Sequence, residues 1–507
     1  MNNVQKTNFS KKYMIILTIM LVAILEVLDS TIVNVALPNM MPSLGADQDQ
    51  ITWVLTSYVV AAAMMLPLTG FLSARFGIKN LLIIDVTGFM ISSFFCGLAN
   101  SLDLMVFLRL CQGAFGAALI PLSQSILRES FPLAQQGKAM AIWGLGIMAA
   151  PVFGPVLGGF ITEHATWRWI FYLNAPICFF ALMMILAIIP VYAKEKRRLD
   201  YTGAFFMFIG IGCLQIFLDR GNSKGWFQSD FIVLMGMISL FGMILFLYRT
   251  ATNATPVIKL SILKNRNFTL CTILLAMFCG CLFGFITLQP IMLESLFRYT
   301  PMLAGKTMMA IGLSSAIAMI TASVLMSHIQ VKYILIISLF LASAGIYHES
   351  TVSLQASQID FIVGDAMLGF GLGLFMVPLT TYSLATLAFE DVTEAAGLFA
   401  YGRMLGTSIG ISLFSTFVSR KAQFNWSQLS AKINIFNPHL HTWLQQQNLT
   451  LNNPKALAEL QSALSTHSSM IAFIDVYKLI SIILICLLPL VLFLKNVILT
   501  ETKTVTH

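Results

Sequence analysis

The sequence predicts an all-α, multi-pass membrane protein of fourteen transmembrane helices, arranged as two six-helix bundles with a helix pair inserted between them. Three observations carry this. The 507-residue chain is 57% hydrophobic and only 10% charged, against about 25% charged for a soluble domain. Its apolar residues come in runs of the ~20 residues that a helix needs to cross ~30 Å of hydrocarbon. The charges gather in the short segments between those runs, where they set topology.

The fourteen runs are 14–37, 51–73, 80–99, 103–127, 138–161, 167–192, 201–218, 230–248, 268–290, 303–326, 331–349, 360–386, 395–418 and 471–494. The chain opens on Lys6, Lys11 and Lys12, and the run that follows is too long for a signal-peptide core, so it reads as a retained first helix. Basic residues crowd alternate loops, with KEKRR at 194–198 and Lys259, Lys264 and Arg266 after the eighth run. That bias predicts cytoplasmic termini. Runs seven and eight are short and lie between KEKRR and the polar stretch 249–267, as an inserted pair does. The expected organisation is an N-terminal bundle over 1–193, a linker with the inserted pair over 194–266, and a C-terminal bundle over 267–507. The last bundle is expected to contain an external loop, 419–470, with an amphipathic helix around Pro454–Leu464. That loop reads either as a solvated connector or as a docking site.

The first run carries two acids, Glu26 and Asp29, with Asn34 just beyond. A carboxylate in hydrocarbon is costly, so such residues face a partner or a water-filled path. The fourth run carries Arg109. At 1.5 Å per residue, Arg109 lies roughly 9 Å and Asp29 roughly 12 Å from the outer ends of their helices, so the two can meet. Protonation of Asp29 then releases the pair, and Glu26 sits nearer the midplane. A purely structural ion pair is the alternative. Small residues between Gly144 and Gly159, with Pro151, Gly154, Pro155 and Gly158 among them, allow close helix approach and bending in the fifth run. Between runs two and three, Gly70 and Gly77 permit a tight reversal, and Arg75 and Lys79 anchor it at the inner face. Asn34, Gln112, Asn174 and Arg403 are the polar side chains expected to line a central substrate cavity.

These stretches carry a resemblance. Gly70–Asn80 resembles the inner-loop signature of the major facilitator superfamily, with Ala74 where the family has Asp and Ile78 where it has Arg. Arg109, Gln112 and Gly113 match its Arg-x-x-Gln-Gly signature, associated with proton coupling. Gly154-Pro155 and Gly158-Gly159 match the antiporter motif of its exporters, with Ala149 or Ala150 at the earlier glycine position. Leu28–Pro38, Trp167–Pro176, Gln289–Gly305 and Gly397–Gly410 resemble the fourteen-helix drug:proton antiporters of the EmrB/QacA family, with Glu294 where a Gln is usual. The resemblance implies a proton-coupled multidrug exporter in a bacterial inner membrane. It implies the proton gradient in place of a cofactor, small amphipathic substrates, and a periplasmic membrane-fusion adaptor with an outer-membrane channel as partners. An exporter of one secreted metabolite, such as a siderophore, and a proton-coupled importer are the alternatives.

Other readings fall away. The net charge of +8 follows topology and not a basic face, so no nucleic-acid partner is expected. The eight cysteines lie in or beside apolar runs, and Cys279 and Cys281 point apart on a helix, so neither a disulfide framework nor a metal site is expected. Gly406-x-Ser408-x-Gly410 lies inside a helix and not at a nucleophile elbow. Gly305-Lys306-Thr307 lacks the first glycine of a phosphate loop. No enzyme constellation survives. Asp85, Asp365 and the couple Asp475 and Lys478, expected to pair along their own helix, complete the intramembrane charges.

Overall fold

The computed structural model describes residues 9–191, 200–253, 256–385, 387, 391–431, 433, 440 and 454–495. The basic run 194–198 and the middle of the segment 419–470 lie outside them.

Among the described residues, fourteen long helices follow one another. They are α1 Phe9–Leu44, α2 Trp53–Phe76, α3 Ile78–Leu98, α4 Leu102–Ser130, α5 Leu133–His164, α6 Trp169–Ile188, α7 Tyr201–Gly221 and α8 Asp230–Thr252. Then come α9 Arg266–Ser295, α10 Pro301–Leu325, α11 Val331–Glu349, α12 Gln358–Ala385, α13 Val392–Ser430 and α14 Pro454–Cys486. Twelve of them contain membrane-length apolar stretches; α5 and α13 run through the same bundle. Large apolar side chains such as Phe107, Phe160, Phe180 and Phe241 point outward. A soluble protein would bury them, but lipid is as apolar as a core.

Several helices outrun their apolar segments. The loop expected over 419–470 is in large part helix, because α13 continues to Ser430 and α14 starts at Pro454. The amphipathic helix expected around Pro454–Leu464 is the first turns of α14, continuous with its membrane span. Hydropathy reports only the part of a helix inside the bilayer, and polar helical extensions look like loop to it. Asp475 pairs with Lys421 of α13 at 3.5 Å and not with Lys478, which is exposed.

Small residues set the close crossings. On α13, Gly406 and Gly410 lie against the α9 backbone at Ala276 and Gly280, where an added Cβ would overlap carbonyl oxygens. The inserted pair packs chiefly on itself, with Ser239 Oγ of α8 donating to Gly210 O of α7 at 2.9 Å. Helix α7 also touches both halves. Thr56 of α2 hydrogen-bonds Asp219, and Arg220 lies over the Trp53 ring, 4.4 Å from its centroid. On the other side, Gln215 Nε2 donates to Ser408 Oγ of α13 at 2.6 Å, and Ser412 Oγ donates to Leu218 O.

The two halves meet at the end that carries the turn between α2 and α3. Gly77 adopts φ +82° there, which a side chain would strain. A Cβ on Gly70 would come within 2.5 Å of Glu394 Cβ of α13, and one on Gly397 within 2.8 Å of Leu66 O. Arg128 Nη2 of α4 donates to Leu387 O, after α12, at 3.0 Å.

Candidate functional site

Asp29 lies mid-helix in α1 and is fully buried. Its Oδ2 accepts from Arg109 Nη1 at 2.6 Å. Its Oδ1 accepts from Gln112 Nε2 at 2.9 Å and from Asn174 Nδ2 at 2.8 Å. Arg109, 1% exposed, also donates from Nε to Val54 O at 3.0 Å and from Nη1 to Gln112 Oε1 at 2.8 Å. Its guanidinium lies 4.3 Å from the Tyr58 ring centroid. Asn174 reaches Ser93 Oγ at 3.0 Å. Helices α4 and α6 thus reach the carboxylate on α1 directly, and α2 and α3 hold its partners through Val54 O and Ser93 Oγ. The fork of Arg109 is needed because three acceptors on three helices share one cation.

A dry ion pair of this kind adds little net stability, because desolvation offsets attraction. Removing one charge is what costs, at about 3–5 kcal/mol. Moving one proton charge through the membrane potential releases about 2.3 kcal/mol per 100 mV. The two quantities are of the same order, so the site is of a size that one proton can switch.

The structure separates Glu26 from this cluster. Spacing of three puts the two acids on neighbouring positions of α1, yet Asp29 is bonded within the first half while Glu26 takes no part in that cluster. Glu26 is half-buried, its Oε2 has no hydrogen-bond partner, and it lies within electrostatic reach of Arg403 on α13. Arg403 is half-buried and, among the described residues, has no hydrogen bond or ion pair. Glu26 of the first half and Arg403 of the second therefore lie within electrostatic reach of one another. Gln112 and Asn174, expected in a substrate cavity, are buried against Asp29 instead, because its oxygens need their amide donors. Asn34 is exposed and donates to Ser30 O of its own helix at 3.1 Å.

On α5, Gly154 lies against Thr31 of α1, two residues past Asp29, and an added Cβ would overlap the Thr31 hydroxyl. Gly144 faces Met319 of α10 in the second half, with a Cβ–Sδ approach of 3.0 Å. Gly158 is buried, and Gly159 has open space around it. The side chains of Pro151 and Pro155 lie outside the described residues; helix assignment runs through both positions. In the inner-loop motif, Arg75 is exposed and Lys79 Nζ donates to Leu186 O at the end of α6 at 2.9 Å.

Sequence reasoning missed a second polar cluster. Gln289 Nε2 of α9 donates to Asp365 Oδ1 of α12 at 2.8 Å and to the Glu349 oxygens of α11 at 3.1 and 3.2 Å. All three residues are buried. Glu349 ends its apolar run and reads there as a boundary residue. Asp365 and Gln289 are each visible as isolated polar residues inside runs, but nothing local joins them.

A model of the Major Facilitator Superfamily matches residues 19–411. The chain belongs to the major facilitator superfamily. Within this superfamily, Multidrug export protein EmrB of Haemophilus influenzae is 31% identical over 484 residues, 94% of this chain and 95% of that protein. Fatty acid resistance protein FarB of Neisseria gonorrhoeae is 32% identical over 481 residues, 94% of each chain. Among solved structures, the major facilitator proton:xylose symporter XylE matches with a TM-score of 0.60 at 13% identity, over 96% of this chain and 97% of that one. That likeness speaks for the fold alone. The fourteen helices, the Asp29–Arg109 pair and the glycines of α5 all sit in a superfamily of transporters.

Proposed function

We infer that this transporter is a proton-coupled exporter of small amphipathic and drug-like compounds, seated in a bacterial inner membrane with both termini cytoplasmic. The observation that carries the coupling is the buried Asp29–Arg109 pair, held on α1 beside Gly154. Kinship with proteins named for multidrug export and fatty acid resistance supports the export direction and the substrate class. It disfavours a nutrient importer and a dedicated siderophore exporter.

With the Gly77 end inward, the contacts of Gly70, Gly397 and Arg128 across the halves close the cytoplasmic side. A proton arriving from outside on Asp29 cancels its charge. Arg109 then keeps only Gln112 Oε1 and Val54 O, and α1 is freed to move along the smooth surface at Gly154. The halves rock about the central site, as in transporters built of repeated bundles. Glu26 and Arg403, within electrostatic reach of one another across the junction, report that motion electrostatically and offer a charged surface to substrate. The proton shifts the balance of the two states only through its different affinity for them.

The helical extensions of α13 and α14 beyond their apolar stretches support an external docking post for a periplasmic adaptor that leads to an outer-membrane channel. The test is ethidium export by the purified chain in liposomes under an imposed pH difference. Export should stop when a protonophore collapses the difference and in Asp29→Asn. Undiminished export after collapse would remove the coupling reading.

A further inference from the structure

The two halves carry polar clusters at matching positions with different chemistry. In the first half, Asp29, Ser93, Arg109 and Asn174 come from its first, third, fourth and sixth helices. In the second half, Gln289, Glu349, Asp365 and Tyr477 come from its first, third, fourth and sixth helices. Asp365 follows Gln358 at the start of α12 by the same number of positions as Arg109 follows Leu102 at the start of α4. The cation of the first cluster is thus replaced by an acid, and another acid faces it.

Glu349 and Asp365 are 1% and 0% exposed, and both carboxyls accept from the one Gln289 Nε2, at 3.1 and 3.2 Å and at 2.8 Å. No described Lys or Arg pairs with either. The titratable neighbours on the packed helices do not supply a charge. Asp360 of α12 is occupied by Ser357, while Glu294 of α9, Lys306 of α10 and Lys478 of α14 are exposed. His348 sits beside Glu349 on α11 with its ring Nδ1 buried and unpartnered. Tyr477 of α14 is fully buried, its hydroxyl has no partner, and it lies within electrostatic reach of both acids. Gln289 Oε1 and Asp365 Oδ2 are also buried without a donor. Two buried carboxylates that share one amide donor, with no described cation paired to either, cannot both stay ionised, so at least one proton is held by the pair. A second proton removes the remaining buried, unpaired charge.

We propose that the Glu349–Asp365 pair is a second proton-exchange site, in the second half of the transporter, which alternates between one bound proton and two. The exchanged proton leaves one carboxyl oxygen for water at the outer mouth and returns to it; no other bond changes. Access is short, because Glu349 is the last residue of α11. The coupling role rests on the export reading above, whereas proton binding at the pair does not.

Two measurements separate these. Infrared spectra of the full chain in liposomes, titrated with pH, report protonated carboxyl groups. A titrating carboxyl band should vanish in Glu349→Gln and in Asp365→Asn, persist in Asp29→Asn, and shift in Tyr477→Phe, which removes only a hydroxyl. A band that ignores pH, or survives both acid substitutions, overturns the proposal in favour of a fixed structural proton. Displacement of the band by Na⁺ at constant pH, with choline inert, overturns it in favour of a cation site. In the same liposomes, the ratio of protons to ethidium moved should halve in Asp365→Asn and in Glu349→Gln. An unchanged ratio overturns the second site's part in coupling. Wild-type ethidium flux indifferent to the pH difference defeats the export-coupling reading alone and leaves the infrared result standing. Ethidium binding by fluorescence shows that each variant scored is folded.

Discussion

Gly154 on α5 and Thr31 on α1 touch so closely that no side chain fits between them, and Asp29 lies two residues away on the same helix. At Gly154, therefore, the helix that carries Asp29 rests on bare backbone. Overpacking a tight contact costs about 1–3 kcal/mol. Gly154→Ala should cut ethidium export at least several-fold, and Thr31→Ala in the same chain should recover part of it. Equal loss in the single and double variants would show that the contact is not what limits α1.

Arg109 serves Asp29, Gln112 and Val54 at once. Arg109→Ala leaves Asp29 buried without its cation and should destabilise the chain by about 3–5 kcal/mol, read as a large fall in melting temperature in detergent. Asp29→Asn in the same chain should restore much of the stability but not gradient-driven export. Additive losses in the double variant would contradict the pairing.

Arg128 closes the Gly77 end through Leu387 O. A hydrogen bond from a charged donor is worth about 1.5–3 kcal/mol. Arg128→Ala should shift the population toward opening at that end by about tenfold or more. Distances between spin labels on the two halves at that end report it. Distributions indistinguishable from wild type would mean that Gly70, Gly397 and their partners hold the closure alone.

Helix α7 is tied to α13 through Gln215 and Ser408. Ser408→Ala should cost about 1 kcal/mol of stability. It should leave export near wild type, as expected of a strut and not of a nucleophile. Complete loss of export with normal melting would reopen a direct role for Ser408.

Asp200, just before α7, binds Arg249 of α8 at 3.2 Å. Desolvation works against its charge, but hydrogen bonds from Asn253, Gly203 N, Thr202 and Arg249 outweigh it and hold the carboxyl below its ordinary value. A lowered carboxyl stabilises the folded chain above its unfolded-state value, near pH 4, and that contribution fades as pH falls below it. The melting difference between wild type and Asp200→Asn should be constant at neutral pH and shrink below about pH 4. A difference that grows on acidification would reverse the assignment.

Much was legible in the sequence because hydrophobic length is a local property. Fourteen helices, the glycine reversal at Gly77 and the intramembrane acids follow from runs and spacings that need no partner. Even the Asp29–Arg109 pairing was within reach, since rise per residue places two charges at one depth. The tertiary structure alone decided which way each side chain turns. Glu26 and Asp29 share a helix face by spacing, yet the bundle pairs Asp29 with Arg109 and leaves Glu26 out of that cluster, within electrostatic reach of Arg403. Gln112 and Asn174 became ligands of Asp29 because a buried carboxylate must be satisfied, and only packing says which amides are near. Glu349, Asp365 and Gln289 lie far apart along the chain, and no periodicity brings them together. The extent of α13 and α14 was hidden for a simpler reason: apolar content measures bilayer thickness, whereas backbone hydrogen bonding continues the helix into water.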